Sequence, residues 1–112
     1  MGNQTGLEGK SLLLISERVN LMQSISAKLR ISGRVQGVWF RQSTRQTAEK
    51  FGVNGWVRNC ADGSVEAILE GKRDSVQSVI DWCRQGPELA RVDELQIEWL
   101  AASGEFSRFE VR

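Results

Sequence analysis

Histidine is absent from this chain. With it go imidazole bases, phosphohistidine chemistry and the usual zinc sites. Cysteine is scarce, only Cys60 and Cys83. A domain with an ample apolar core needs no staple, so the two read as free thiols of a reducing cytoplasm rather than as a disulfide. An excess of either charge is missing too. Fifteen basic residues stand against 14 acidic ones, a net charge of +1, which gives no field that would gather nucleic acid or an acidic membrane. Nothing approaches the run of about 20 apolar residues that a membrane span needs. The apolar stretch Leu12-Leu13-Leu14-Ile15 is too short for a secretory signal, Glu17 and Arg18 follow it closely, and no small-residue cleavage site comes next.

What remains is a chain of 112 residues, room for one domain with one core. Residues 1–25 read as an N-terminal extension without an assigned function, and 26–112 as the domain. Within the extension, Leu12, Ile15, Val19 and Met22 fall at helical spacing. An amphipathic helix, a frayed extension and a stretch upstream of a true initiator at Met22 all fit that pattern.

The densest information lies in Gly33-Arg34-Val35-Gln36-Gly37-Val38-Trp39-Phe40-Arg41. Before it, Ala27, Leu29 and Ile31 alternate with Lys28, Arg30 and Ser32, the period of a half-buried strand. After it, Phe40, Thr44, Thr47, Ala48 and Phe51 recur at helical spacing, and Gly52 follows as a stop. A loop from a strand into a helix N-terminus gathers main-chain N–H groups at the positive end of the helix dipole, where a phosphate is welcome. The amides of Val35, Gln36, Gly37, Val38, Trp39 and Phe40 are the expected cradle. Arg41 adds a planar guanidinium able to grip two phosphoryl oxygens. A cation at a helix start opposes the macrodipole, which is itself a reason to expect a bound anion. Gly37 answers to a backbone angle or a close approach that a Cβ would forbid. Trp39 is either an apolar wall beside the substrate or a partly buried packing residue.

Further on, Gly55–Asn59 forms a second strand that runs into the turn signal Asp62-Gly63, and a third follows at Ser64–Glu70. A second helix opens near Asp74, with Asp74 and Gln77 at capping-box spacing. Val76, Val79, Ile80 and Cys83 form its apolar stripe, and Gly86-Pro87 ends it. Leu95, Ile97 and Trp99 alternate through a fourth strand, and Phe109 and Val111 mark a short fifth. Trp56, Trp82 and Trp99 read as core or sheet-packing residues. The order βαββαβ is the split βαβ pattern: an α+β, ferredoxin-like sandwich, with an antiparallel sheet and both helices on one face.

Several phosphate chemistries are excluded. A cysteine phosphatase needs an arginine six residues after its cysteine; Glu66 stands at that distance from Cys60 and Leu89 from Cys83. The glycine-rich loop lacks the Lys-Ser/Thr pair of a nucleotide-binding P-loop. No acidic cluster has two-metal spacing, so neither metal nor cofactor is expected. A cradle without an evident nucleophile, base or metal is compatible with acyl phosphate hydrolysis, which can do without all three. An acyl phosphate is a mixed anhydride whose leaving carboxylate has a conjugate acid of pKa about 4, so it departs unaided. A loose transition state also asks little of a general base.

The loop and three later segments resemble the acylphosphatase family. These are Gly55-Trp56-Val57-Arg58-Asn59 followed by Asp62-Gly63-Ser64-Val65-Glu66, then Trp82-Cys83-Arg84-Gln85-Gly86-Pro87, and the closing Phe109-Glu110-Val111-Arg112. The resemblance spans about residues 27–112. It implies hydrolysis of small acyl phosphates to a carboxylate and inorganic phosphate, with Arg41 as the phosphate-binding arginine. It also implies that Asn59 orients the attacking water; read alone, Asn59 is an ordinary turn residue at a strand end. A cytoplasmic monomer acting on a small molecule, with no nucleic acid or membrane partner, is the expected state. The alternatives are a non-catalytic phosphate- or metabolite-binding module of the same topology and, less well served by the few strand aromatics and balanced charge, an RNA-binding domain.

Overall fold

The structure is a computed structural model and describes residues 23–112; the helical spacing of Leu12, Ile15, Val19 and Met22 lies outside the described residues. The first strand, β1 (Ser24–Arg34), keeps the alternation of its sequence. Ala27, Leu29 and Ile31 are fully buried while Lys28 and Arg30 are exposed. Helix α1 (Phe40–Lys50) buries Phe40, Thr44 and Ala48, one residue per turn. Phe51, expected on that stripe, is 38% exposed. It lies one residue past the helix end, where the chain already turns outward, and the Lys50 ammonium covers its ring at 5.7 Å.

Strands β2 (Asn54–Asn59) and β3 (Val65–Lys72) form the expected hairpin. Its turn is closed by the Cys60 N–H donating to the Ser64 carbonyl at 2.8 Å. Asp62 Oδ1 accepts from the Ser64 N–H at 3.0 Å and the Ser64 hydroxyl at 2.6 Å. Those bonds, with Arg30 alongside, hold the Asp62 carboxyl below its usual range. Where the hairpin strands cross Gly55 they come very close. A Cβ there would sit 1.9 Å from the Ile68 carbonyl oxygen, and φ is +137°, so glycine is required on both counts.

Helix α2 (Arg73–Cys83) buries Val76, Val79, Ile80 and Cys83 as expected. The capping box is not formed. β3 runs straight into the helix with Lys72 as N-cap, which puts Asp74 inside the first turn. There Asp74 accepts from the Ser75 N–H, and Gln77 donates to Asp81. Burial pushes the Cys83 thiol up to about 12, so it stays protonated and packs as a small apolar group.

Two more strands follow, β4 (Arg91–Ala101) and β5 (Phe109–Val111), and the sheet order is β4-β1-β3-β2-β5. Ala27, Leu29, Ile31, Val57, Val65, Ala67 and Leu69 line one face of the sheet and join the buried residues of both helices in a single core. Trp82 and Trp99 pack against that core; Trp56 lies on the opposite sheet face, with the guanidinium groups of Arg58 and Arg112 each 5.2 Å from its ring centre.

The element order predicts an antiparallel sheet, and the observed sheet is mixed. Four strands are antiparallel, but β5 runs parallel to β2. The directions require this: β1 and β2 run one way, β3 and β4 the other, and a chain that reverses after β4 must run with β2. The reversing connection is pinned by Glu70, which is 7% exposed. Its carboxylate accepts from the Ser103 N–H at 2.6 Å, the Ser103 hydroxyl at 3.1 Å and the Gly104 N–H at 3.2 Å. No helix among the described residues is long and apolar enough to cross a membrane.

Candidate active site

Strand alternation decides which end of β2 faces the helices. Val57 is buried on the helix side, so Asn59, two residues on, lies on that side too, at the strand end and exposed. Arg58 points to the other face, where its guanidinium meets Glu66 at 2.9 Å.

Between β1 and α1 the backbone changes hand twice. φ is +73° at Gly37 and +65° at Trp39, and Trp39 is the one non-glycine residue with positive φ among those described. Alternating hand across successive residues turns neighbouring N–H groups toward one concavity, an arrangement that binds anions. Among the described residues, no N–H from Val35 through Gln42 donates to a main-chain carbonyl. Eight consecutive residues of loop and first helical turn therefore present unengaged donors. A Cβ on Gly37 would meet nothing within 4 Å, so its glycine serves the backbone angle, not a close approach.

Side chains hold this loop from both sides. Val35 and Val38 are buried in the core, at 1% and 3% exposure, and Phe40 meets Trp82 with ring centres 5.7 Å apart. Gln36 reaches sideways: its Nε2 donates to the Cys60 carbonyl at 2.8 Å and the Ser64 carbonyl at 3.0 Å. That tether fastens the loop to the hairpin turn beside Asn59. From the first turn of α1, Arg41 donates to the main-chain oxygen of Arg112 at 3.1 Å, which sets the guanidinium against the end of β5.

These segments enclose a cleft of about 220 Å³ lined by Val35, Gly37, Trp39, Phe40, Arg41, Gln42, Asn59 and Val111. Arg41 and Asn59, 18 positions apart in the chain, thus share one cavity with the loop. Of the six residues expected to supply the cradle, Val35, Gly37, Trp39 and Phe40 line it; Gln36 and Val38 do not, since their side chains serve the hairpin and the core. Sequence reasoning missed two lining residues. Val111 was visible only as a strand residue, and Gln42 carried no signal beyond following Arg41. Trp39 is no packing residue: it is 74% exposed at the cleft.

The sequence profile of acylphosphatases matches residues 27–111. The chain belongs to the acylphosphatase family. It is 50% identical over 91 residues to the acylphosphatase of Pyrobaculum islandicum, covering 80% of this chain and 96% of that protein. Among solved structures, an acylphosphatase from Coxiella burnetii superposes with a TM-score of 0.76 at 37% identity, over 80% of this chain and 93% of that one. The Bacillus subtilis acylphosphatase gives a TM-score of 0.76 at 30% identity, over 79% and 98%. The protein is an acylphosphatase-type hydrolase, acting on acyl phosphates with the ferredoxin-like α+β fold of its relatives. No carboxylate, thiol or imidazole lines the cleft, so its donor set is that of an anion site.

Proposed function

We propose that the acylphosphatase reaction takes place in this cleft, with the loop amides and Arg41 holding the phosphoryl group and Asn59 orienting the water. The observation that supports it best is the run of unengaged N–H groups from Val35 to Gln42, most of whose residues line one cavity with Arg41 and Asn59. Three equatorial phosphoryl oxygens need several donors at once, and a preorganised arc with a bidentate guanidinium supplies them. The Asn59 carbonyl accepts from the water while its NH₂ donates to a phosphoryl oxygen.

The water oxygen attacks phosphorus in line, and the phosphorus–oxygen bond to the acyl group breaks with its electron pair leaving on the carboxylate. The water's proton passes to a phosphoryl oxygen. The products are a carboxylate and dihydrogen phosphate, and the substrate has served as its own base. No step asks for a metal, and the cleft offers arginine and amides rather than ligands for one. Domain 26–112 carries this chemistry, its lining residues running from Val35 to Val111. The two free cysteines suit a reducing cytoplasm.

Release of phosphate from acetyl or benzoyl phosphate in excess EDTA tests the reading. Undiminished turnover with competitive inhibition by inorganic phosphate is the expected result. Strict dependence on added Mg²⁺ or Zn²⁺ would overturn the mechanism.

A further inference from the structure

Trp39 occupies its position against two separate preferences of a folding chain. Its backbone is left-handed, φ 65° and ψ 19°, a conformation that glycine adopts freely and a bulky side chain adopts at a cost. Its side chain recovers little by packing: at 74% it is the most exposed large apolar residue among those described. An isolated exposed indole is unremarkable by itself. An indole held on a strained backbone at the lip of a substrate cleft points to a ligand.

The cleft has two chemically distinct sides. Arg41, Gln42, Asn59 and the free amides form the polar side. Val35 and Phe40 also line the cavity, but each is only 1% exposed. The open apolar surface is therefore the indole of Trp39 and the half-buried Val111. A phosphoryl group bound on the polar side leaves this surface as the apolar one open to its acyl substituent.

We infer that Trp39, with Val111 in the same cleft, is the acyl-reading element of the site and selects acyl phosphates with an aromatic or extended apolar acyl group over acetyl phosphate. This rests on the proposed function and deepens it. The indole offers a flat face for offset stacking on an aromatic acyl group. A methyl group covers little of that face, so acetyl phosphate gains little from it. The contact exists in ground state and transition state alike, so its loss appears in KM rather than in kcat.

The test is the ratio of kcat/KM for benzoyl phosphate to that for acetyl phosphate, measured in the full chain, Trp39→Ala and Trp39→Phe. A ratio is needed because the Trp39 amide belongs to the cradle, and a disturbed backbone lowers both rates together. The ratio is expected to fall about three- to tenfold in Trp39→Ala, the size of an aromatic contact. In Trp39→Phe it stays within twofold of the native value. A ratio unmoved in Trp39→Ala, with both substrates still turned over, overturns the acyl-reading role and leaves the phosphatase reading standing. A native protein that hydrolyses neither substrate overturns both.

Discussion

Asn59→Ala separates chemistry from binding. The side chain is exposed at a strand end, and the main chain of residue 59 pairs with Val65 whatever the side chain is. Truncation leaves no cavity and no buried unpaired group, so stability should change by no more than about 0.5 kcal/mol. The loop, held by Gln36, and Arg41, held against Arg112, owe nothing to the Asn59 side chain. Inhibition by inorganic phosphate should therefore persist, weakened only by the single bond that the Asn59 NH₂ gives a phosphoryl oxygen. In the proposed mechanism the lost interaction acts chiefly on the water, and matters most as the new bond forms. Removing one preorganised hydrogen-bonding group commonly costs about 10² to 10³ in kcat, equivalent to roughly 2.7–4 kcal/mol of barrier. Steady-state hydrolysis of benzoyl phosphate, phosphate inhibition and a thermal melt on the same preparation give all three quantities. A folded variant that binds phosphate and turns over at the native rate would return Asn59 to the role of a turn residue, and the water would need another partner.

Arg41→Ala should abolish turnover and phosphate inhibition together, and Arg41→Lys should restore little of either, because an ammonium cannot form the bidentate grip; a lysine variant within threefold of native activity would reduce Arg41 to bulk charge. Gly55→Ala should cost about 3–5 kcal/mol, since its Cβ would lie 1.9 Å from the Ile68 carbonyl oxygen at φ +137°. The melting temperature should then drop by at least about 10 °C, and a fall under 2 °C would mean that β2 and β3 separate freely. Deleting residues 1–22 should leave the melt and kcat/KM of the remaining chain within about twofold of native, because the described core is built from Ile25 onward; an insoluble or inactive product would make the extension part of the fold.

How much of this was legible in the sequence depends on how local the cause is. The alternation of Ala27, Leu29 and Ile31 and the stripe of Val76, Val79, Ile80 and Cys83 are local, and both elements lie where the periods put them. The loop between β1 and α1 was legible for the same reason: glycine spacing, strand, helix start and arginine are neighbours in the chain. Asn59 was not. Nothing in its surroundings separates it from a turn residue, and only the family resemblance singled it out. Its place in the cleft follows from the parity of β2 and from the Gln36 tether, both tertiary facts. β5 has three residues, too few to carry a period, and its parallel pairing with β2 depends on the path of the connection after β4. The exposure of Trp39 and its left-handed backbone were hidden likewise, since the strain is sustained by the loop around it. Asp74 misled because capping-box spacing says nothing about where a strand stops and a helix begins.

The cleft has no local precursor. Its walls come from the loop after β1, the end of β2 and the last strand, and one of the contacts that closes it, Arg41 to Arg112, joins positions 71 apart. Such a site cannot assemble in a helix or a hairpin that forms early; it appears only when the chain has paid the entropy of bringing distant segments together. With the reaction placed in this cleft as proposed, turnover is a late reporter of folding. After dilution from denaturant, far-UV ellipticity can return with the helices, but hydrolysis has to wait for β5 to dock. The interval between the two signals times the closing of the sheet.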